Sequence, residues 1–344
     1  MPVSRRRTLL FGAGMALALA PSAPVRADDV ADFYRGKNLE LYIGYSVGGG
    51  YDIYARLLAR HLGRHMPGNP TVVPRNMEGA GSLRLTNWLY TAAARDGSVI
   101  GTISRGVPFD PIMQRPGSQF EATKFSWIGS ANDEVSICVT WHTSGVTTMD
   151  DLKKKPIAVG AAGAGSDDDQ FPRVINAVLG TKMQVISGYP GGNDIILAME
   201  RGEVSGRCGW SWSSVKSSHP EWVRDKKINI LSQLGLSKHP DLPNVPSIME
   251  FAKTDEDTQI LRLIFARQGL GRPFVGPPGI PADRLAALRK AFSETMADPE
   301  FLADAEKAKL EINPLNGAQV EALVRQVYAE TKPDVAKRAA AMLP

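Results

Sequence analysis

Cysteine is almost absent from this sequence, with two in 344 residues, and histidine is scarce at five. That thin supply excludes a cysteine-built metal cluster and a disulfide-dense scaffold. Local metal and nucleotide patterns are missing too. His61 and His65 stand one helical turn apart, but Leu62 follows His61 where H-E-x-x-H needs glutamate, so both read as polar-face helix residues. Gly160, Gly163 and Gly165 miss the G-x-G-x-x-G spacing, and no Walker lysine follows any glycine run. Neither a metal nor a cofactor is expected.

Long apolar runs are also lacking, with one exception at the start. Leu9 to Ala20 is apolar, Arg5-Arg6-Arg7 precede it, and Val25-Arg26-Ala27 offers a small-x-small cleavage site, so residues 1–27 read as a removable signal peptide. The run is shorter than the roughly 20 residues a bilayer span needs. SRRRTLL resembles a twin-arginine export signal, with Thr8 where that motif prefers an aromatic residue. The mature product is expected to be exported and soluble. Excess charge of one sign is missing as well: residues 1–27 hold four arginines and no acid, which leaves 36 bases against 36 acids. A nucleic-acid partner is excluded on that balance. In an oxidising compartment, Cys138 and Cys208 read either as a disulfide contributing about 4 kcal/mol or as two buried thiols.

What remains is an alternation of short apolar strands with amphipathic helices. Leu39 to Ile43 reads as a strand, Asp52 to Met66 as a helix, Val72-Val73 as a strand, Ser82 to Ala94 as a helix and Val99 to Ser104 as a strand. This order predicts a mostly parallel sheet with helices on its faces. A second unit repeats the pattern between Val135 and Leu234, and the remainder, including Pro281 to Met296 and Val320 to Ala329, carries helical periodicity without strands. Such a tail must return to the first unit. The chain then crosses between units near Asn132-Asp133 and Gly235, giving one domain from residues 28–132 plus 236–344 and a second from residues 133–235. Two crossings make a hinge, and a hinge between two α/β lobes makes a cleft.

Three glycine-rich turns open helices. The first, Tyr45-Ser46-Val47-Gly48-Gly49-Gly50-Tyr51-Asp52, contains a G-x-S-x-G pattern from Gly44 to Gly48 that also reads as a hydrolase elbow with Ser46 as nucleophile. Such an elbow needs several strands before it, and Ser46 lies on the first strand-helix turn, so an exported serine hydrolase is the weaker alternative. His142, His219 and His239 carry no local signature for a base. The other turns are Gly163 to Asp167, with Gly165 and Ser166, and Gly191-Gly192-Asn193-Asp194. Glycine lets a ligand touch the backbone, an aspartate caps one amide, and the free amides receive an anion. Asp167-Asp168-Asp169 oppose an anion unless they point away or a cation intervenes. Arg105, at the end of the third strand, is the candidate fixed cation, and Trp210, Trp212 and Tyr189 are candidates for the second lobe's wall.

In this order the motifs resemble the solute-binding components of tripartite tricarboxylate transporters, the TctC or Bug family. They are RNMEGAGSL at Arg75 to Leu83, RDGSVIG at Arg95 to Gly101, GAAGAGS at Gly160 to Ser166, GYPGGNDIILAMERGEV at Gly188 to Val204 and GPPGIPADRLAALRKAF at Gly276 to Phe292, beside the strand-GGG-x-D-helix. The resemblance covers nearly the whole mature chain. It implies a two-lobed periplasmic-binding-protein fold of type II, a monomeric Venus flytrap without catalytic residues, that hands a small organic acid to a two-component integral-membrane permease. It also implies ligand contacts at Tyr45 to Asp52, Gly165, Ser166 and Tyr189 to Asp194. Where the family has a proline-bearing run this chain has Tyr45-Ser46-Val47, and acids follow Ser166, which leaves open the class of acid bound.

Overall fold

The computed structural model describes residues 27–343. Apart from Ala27 the signal segment lies outside them. Eleven strands are described: β1 (Asn38–Ile43), β2 (Thr71–Asn76), β3 (Val99–Thr102), β4 (Ser126–Ser130), β5 (Ser136–Trp141), β6 (Ile157–Ala161), β7 (Met183–Ser187), β8 (Gly206–Ser211), β9 (Ile228–Leu234), β10 (Pro273–Gly276) and β11 (Leu315–Asn316). They form two sheets, ordered β11-β4-β10-β3-β1-β2 and β7-β6-β8-β5-β9.

The elements follow from the pattern of apolar residues. In β1, Leu39, Leu41 and Ile43 alternate into the interior at 0% exposure, the period of a pleated strand. The helix Gly50–Leu62 buries Tyr54, Leu57, Leu58 and Leu62 on one stripe. His61 joins them, packed edge-on against Phe301 with Nε2 3.1 Å from Asp304 Oδ2. It is therefore not the polar-face residue expected, because the helix Pro299–Lys307 covers that face.

Neither sheet is mostly parallel. β1 runs parallel to β2 and β3, but β10 is antiparallel to β3 and β4, and β5 is antiparallel to β8 and β9. A strand that enters a sheet from the other lobe arrives at the hinge end and runs against its neighbours, so the crossovers themselves impose the mixture. The tail is not strandless either. β10 is a four-residue insert ending in glycine and β11 has two residues, too short for an alternating pattern to show.

The two crossovers lie side by side. The Ala131 N–H donates to Arg272 O (3.0 Å), the Glu134 N–H to Gln268 O (2.9 Å), and Gln268 Nε2 to Leu234 O (2.7 Å). The chain leaves the second sheet at Leu234 and re-enters the first at Pro273, after the helix Asp255–Phe265. Within the second lobe, Cys138 and Cys208 are directly opposed on β5 and β8 and are bonded to each other. Among the described residues, no helix is long and apolar enough to cross a membrane.

Candidate functional site

The helices Gly50–Leu62, Asp167–Leu179 and Gly192–Glu200 all begin at one interlobe cavity, and no side chain caps any of them. The aspartates expected to cap are used otherwise. Asp52 turns back, accepting from the Gly48 N–H (2.8 Å), Arg56 Nε (2.8 Å) and Asn76 Nδ2 (2.9 Å), so it braces the glycine loop from behind and stays out of the cavity wall. Gly48 needs its glycine for this turn, at φ +83°. Asp194 reaches across to the first lobe and accepts the Ser46 hydroxyl at 2.7 Å.

Some amides of the three turns are consumed internally. Ser46 N–H donates to Pro190 O (3.3 Å), Gly165 N–H to Ala80 O (3.0 Å) and Ser166 N–H to Gly163 O (2.8 Å). The first and second of these bonds tie lobe to lobe. At the starts of the other two helices, the N–H groups of Gly50, Tyr51, Gly192 and Asn193 have no acceptor among the described residues. These are among the donors left for a ligand, and an uncapped helix start favours negative charge. Backbone of the two lobes comes close here: a β-carbon on Gly49 would lie 3.8 Å from Gly192 N.

The cavity holds about 50 Å³. Tyr45, Tyr51, Trp210 and Ile196 supply its apolar wall, with the Tyr45 and Tyr51 rings stacked at 4.7 Å. Burial pushes the Tyr45 hydroxyl well above its ordinary value, and the neighbouring Tyr51 and Asp168 add to this, so it faces a ligand as a neutral phenol. Trp210 is in this wall. Trp212 is buried behind it, donating Nε1 to Asp241 (3.1 Å), and Tyr189 packs at the edge of the second lobe's core rather than lining the cavity.

Three arginines also face the cavity, and each is matched to an acid. Arg105 Nε donates to Asp167 Oδ2 across the lobes (2.6 Å) and its Nη2 to Ser211 Oγ (2.7 Å). Arg207 Nη2 donates to Asp168 Oδ2 at 3.0 Å. Arg272 lies 3.3 Å from Glu134 Oε2, donates to Ser214 Oγ (3.0 Å), and is held between the Tyr51 and Tyr54 rings at 4.8 and 5.0 Å. Burial opposes the Arg105 charge, yet Asp167, Tyr51 and Glu134 hold its affinity for the proton above the ordinary value. Asp169, the third acid of the triplet, pairs with Arg173 at 3.1 Å. Each acid of residues 167–169 is thus paired with an arginine, which reduces its repulsion of an anion without removing it.

Of the residues on the cavity wall, sequence reasoning named Arg105 and, within the Tyr45 to Asp52 turn, Tyr51, and it passed over Arg207, Arg272 and Ser214. Arg207 had a signal: it shares a β8 face with Gly209 and Ser211, beside the Trp210 already singled out. Arg272 had none, because it lies at the end of a crossover from the far part of the chain. Ser46 is an interlobe latch, and no histidine is among its hydrogen-bond partners.

No protein-family model matches the chain. A relative from Cupriavidus necator, described as the UPF0065 protein in the gbd 5′ region, is 24% identical over 351 residues, covering 97% of this chain and 98% of its own. The solved structure of the periplasmic binding protein BugD superposes with a TM-score of 0.71 at 20% identity, over 90% of this chain and 99% of that one. MatC from Rhodopseudomonas palustris, solved with bound malate, gives a TM-score of 0.69 at 16% identity, over 89% and 99%. This chain has the two-lobed fold of the Bug-type periplasmic binding proteins, the fold its motifs implied.

Proposed function

We propose that the chain is a periplasmic solute-binding protein that captures a small carboxylate between its lobes and delivers it to a two-component permease of the tripartite tricarboxylate type. One observation carries this reading: uncapped helix starts from both lobes, with unused amide donors, meet at one interlobe cavity. A carboxylate accepts such donors at roughly 1.5 to 3 kcal/mol each, so a few suffice for micromolar affinity near −8 kcal/mol after ordering costs. The relatives support it, since BugD is a periplasmic binding protein and MatC was solved holding malate. Export by the amino-terminal signal, action as a monomer and capture without bond-breaking belong to the same reading. Ser46 serves it as a closing contact, its proton directed to Asp194.

The test is a panel of C3 to C8 mono- and dicarboxylates, aromatic ones included, read by thermal shift and calorimetry. A ligand at 100 times its Kd is expected to add about 2.7 kcal/mol of stability. A panel without a single binder would overturn the proposal.

A further inference from the structure

We infer that the cleft selects a short monocarboxylate over dicarboxylates, an inference that rests on the carboxylate reading above. The first argument is charge. Arg105, Arg207 and Arg272 are the cations on the cavity wall, and each is paired with an acid, Asp167, Asp168 and Glu134 respectively, of which Asp167 also lies 3.6 Å from Arg267, a buried residue outside the wall. What remains positive is the pair of helix starts at Gly50 and Gly192, each equivalent to about half an elementary charge. Together they match one negative charge.

The third helix start adds little. Gly209 packs over it so closely that a β-carbon there would lie 2.8 Å from Asp168 N. The donors also converge on a single headgroup. Beside Gly50 stand Ser214 and Arg272, whose Nε is buried and has no partner among the described residues. A second carboxylate would instead meet Asp167 or Asp168, or Tyr45, Trp210 and Ile196. Placing like charges together, or stranding a charge against apolar walls, costs several kcal/mol. The cavity of about 50 Å³ leaves space for a compact body only.

The experiment is calorimetric titration of the mature protein with straight-chain C3 to C6 monocarboxylates and the dicarboxylates of equal carbon number, at pH 7.5. The monocarboxylate of each pair is expected to bind at least about tenfold tighter, a difference of about 1.4 kcal/mol. Equal or reversed affinities would overturn the inference while leaving the carboxylate reading standing. Silence from both sets would overturn this inference, and the carboxylate reading falls with it only when the aromatic and C7 to C8 acids of the wider panel are silent as well. Asp168→Asn supplies a second arm, with folding checked by circular dichroism. The asparagine retains an oxygen for the Ala162 N–H, which lies 3.0 Å from Asp168 Oδ1, and releases the Arg207 charge. The variant is expected to shift the ratio of affinities toward the dicarboxylate by about tenfold, and an unchanged ratio counts against the charge matching.

Discussion

At the scale of single residues, Gly50 shows how closure and folding separate. A β-carbon there would overlap the Ser214 hydroxyl and stand 2.9 Å from Arg272 Nη2, both across the lobe boundary or the hinge. The substitution itself suits a helix, where alanine is favoured over glycine by up to about 1 kcal/mol. Gly50→Ala is therefore expected to weaken ligand binding at least about tenfold, by obstructing contacts of the closed cleft, while the ligand-free melting point stays level or rises. A variant that binds as tightly as the parent would refute the packing argument.

Asp110 gives a pH dependence. It is buried beside Arg115 and accepts from Gln170 Nε2 at 2.9 Å. Burial pushes its carboxyl up to about 6, against the pull of Arg115 and Arg267. The folded state holds this proton more tightly than the unfolded chain does, so the contribution to stability is fully present below about pH 4 and lost as pH rises through about 6. Asp110→Asn removes the loss. Denaturant unfolding is expected to find similar stabilities at pH 4 and the variant ahead by up to about 3 kcal/mol at pH 7.5; a gap independent of pH would exclude this origin. Residues of this kind were hidden in the sequence, since Gln170 and Arg267 come from segments distant from Asp110 and Arg115, and the group acquires its meaning only when folding buries it together. The glycines and Arg105 were legible because their role begins in a local turn.

At the scale of elements, the disulfide bonds two strands that are neighbours in space and 70 residues apart in sequence. Closing a loop of that length restricts the unfolded chain by about 4 kcal/mol in the chain-entropy account. Replacing both cysteines with serine is expected to lower unfolding free energy by about that amount, and a loss below about 1 kcal/mol would assign the stability to the β5–β8 ladder alone. Helices were the most legible elements, because amphipathic stripes such as Leu285, Leu288, Phe292 and Met296 run over several turns. β4, β10 and β11 escaped. β4 is buried along its whole length and so has no alternation, and the other two are too short. The missing caps were illegible for another reason: an aspartate at a helix start looks the same in sequence whether it faces its own amides or a loop, as Asp52 does.

For the whole molecule, the cleft is spanned by direct contacts between the lobes, including Arg105 with Asp167 and Ser46 with Asp194. Their loss upon opening should appear in dissociation rates before it appears in fold stability. Ser46→Ala is expected to accelerate ligand release about tenfold, the effect of one charge-assisted hydrogen bond, with an unchanged association rate in stopped-flow measurements. A change confined to association would assign Ser46 to the entry of ligand instead. The two-lobed plan was legible from the order of strands and helices and from the tail's need for a partner. The direction of the strands at the hinge was not, because it depends on which end of each sheet receives the crossing chain.

The placement of β10 has a further consequence, for the order in which the protein can be assembled. It sits between β3 and β4, which have no pairing with each other, and it is delivered by residues that follow the entire second lobe. Residues 136–234 can complete their five-stranded sheet as one continuous piece. The amino-terminal half must wait, with open sheet edges that invite aggregation. A nascent chain cut between Leu234 and Pro273 is left with one finished sheet and one unfinished sheet.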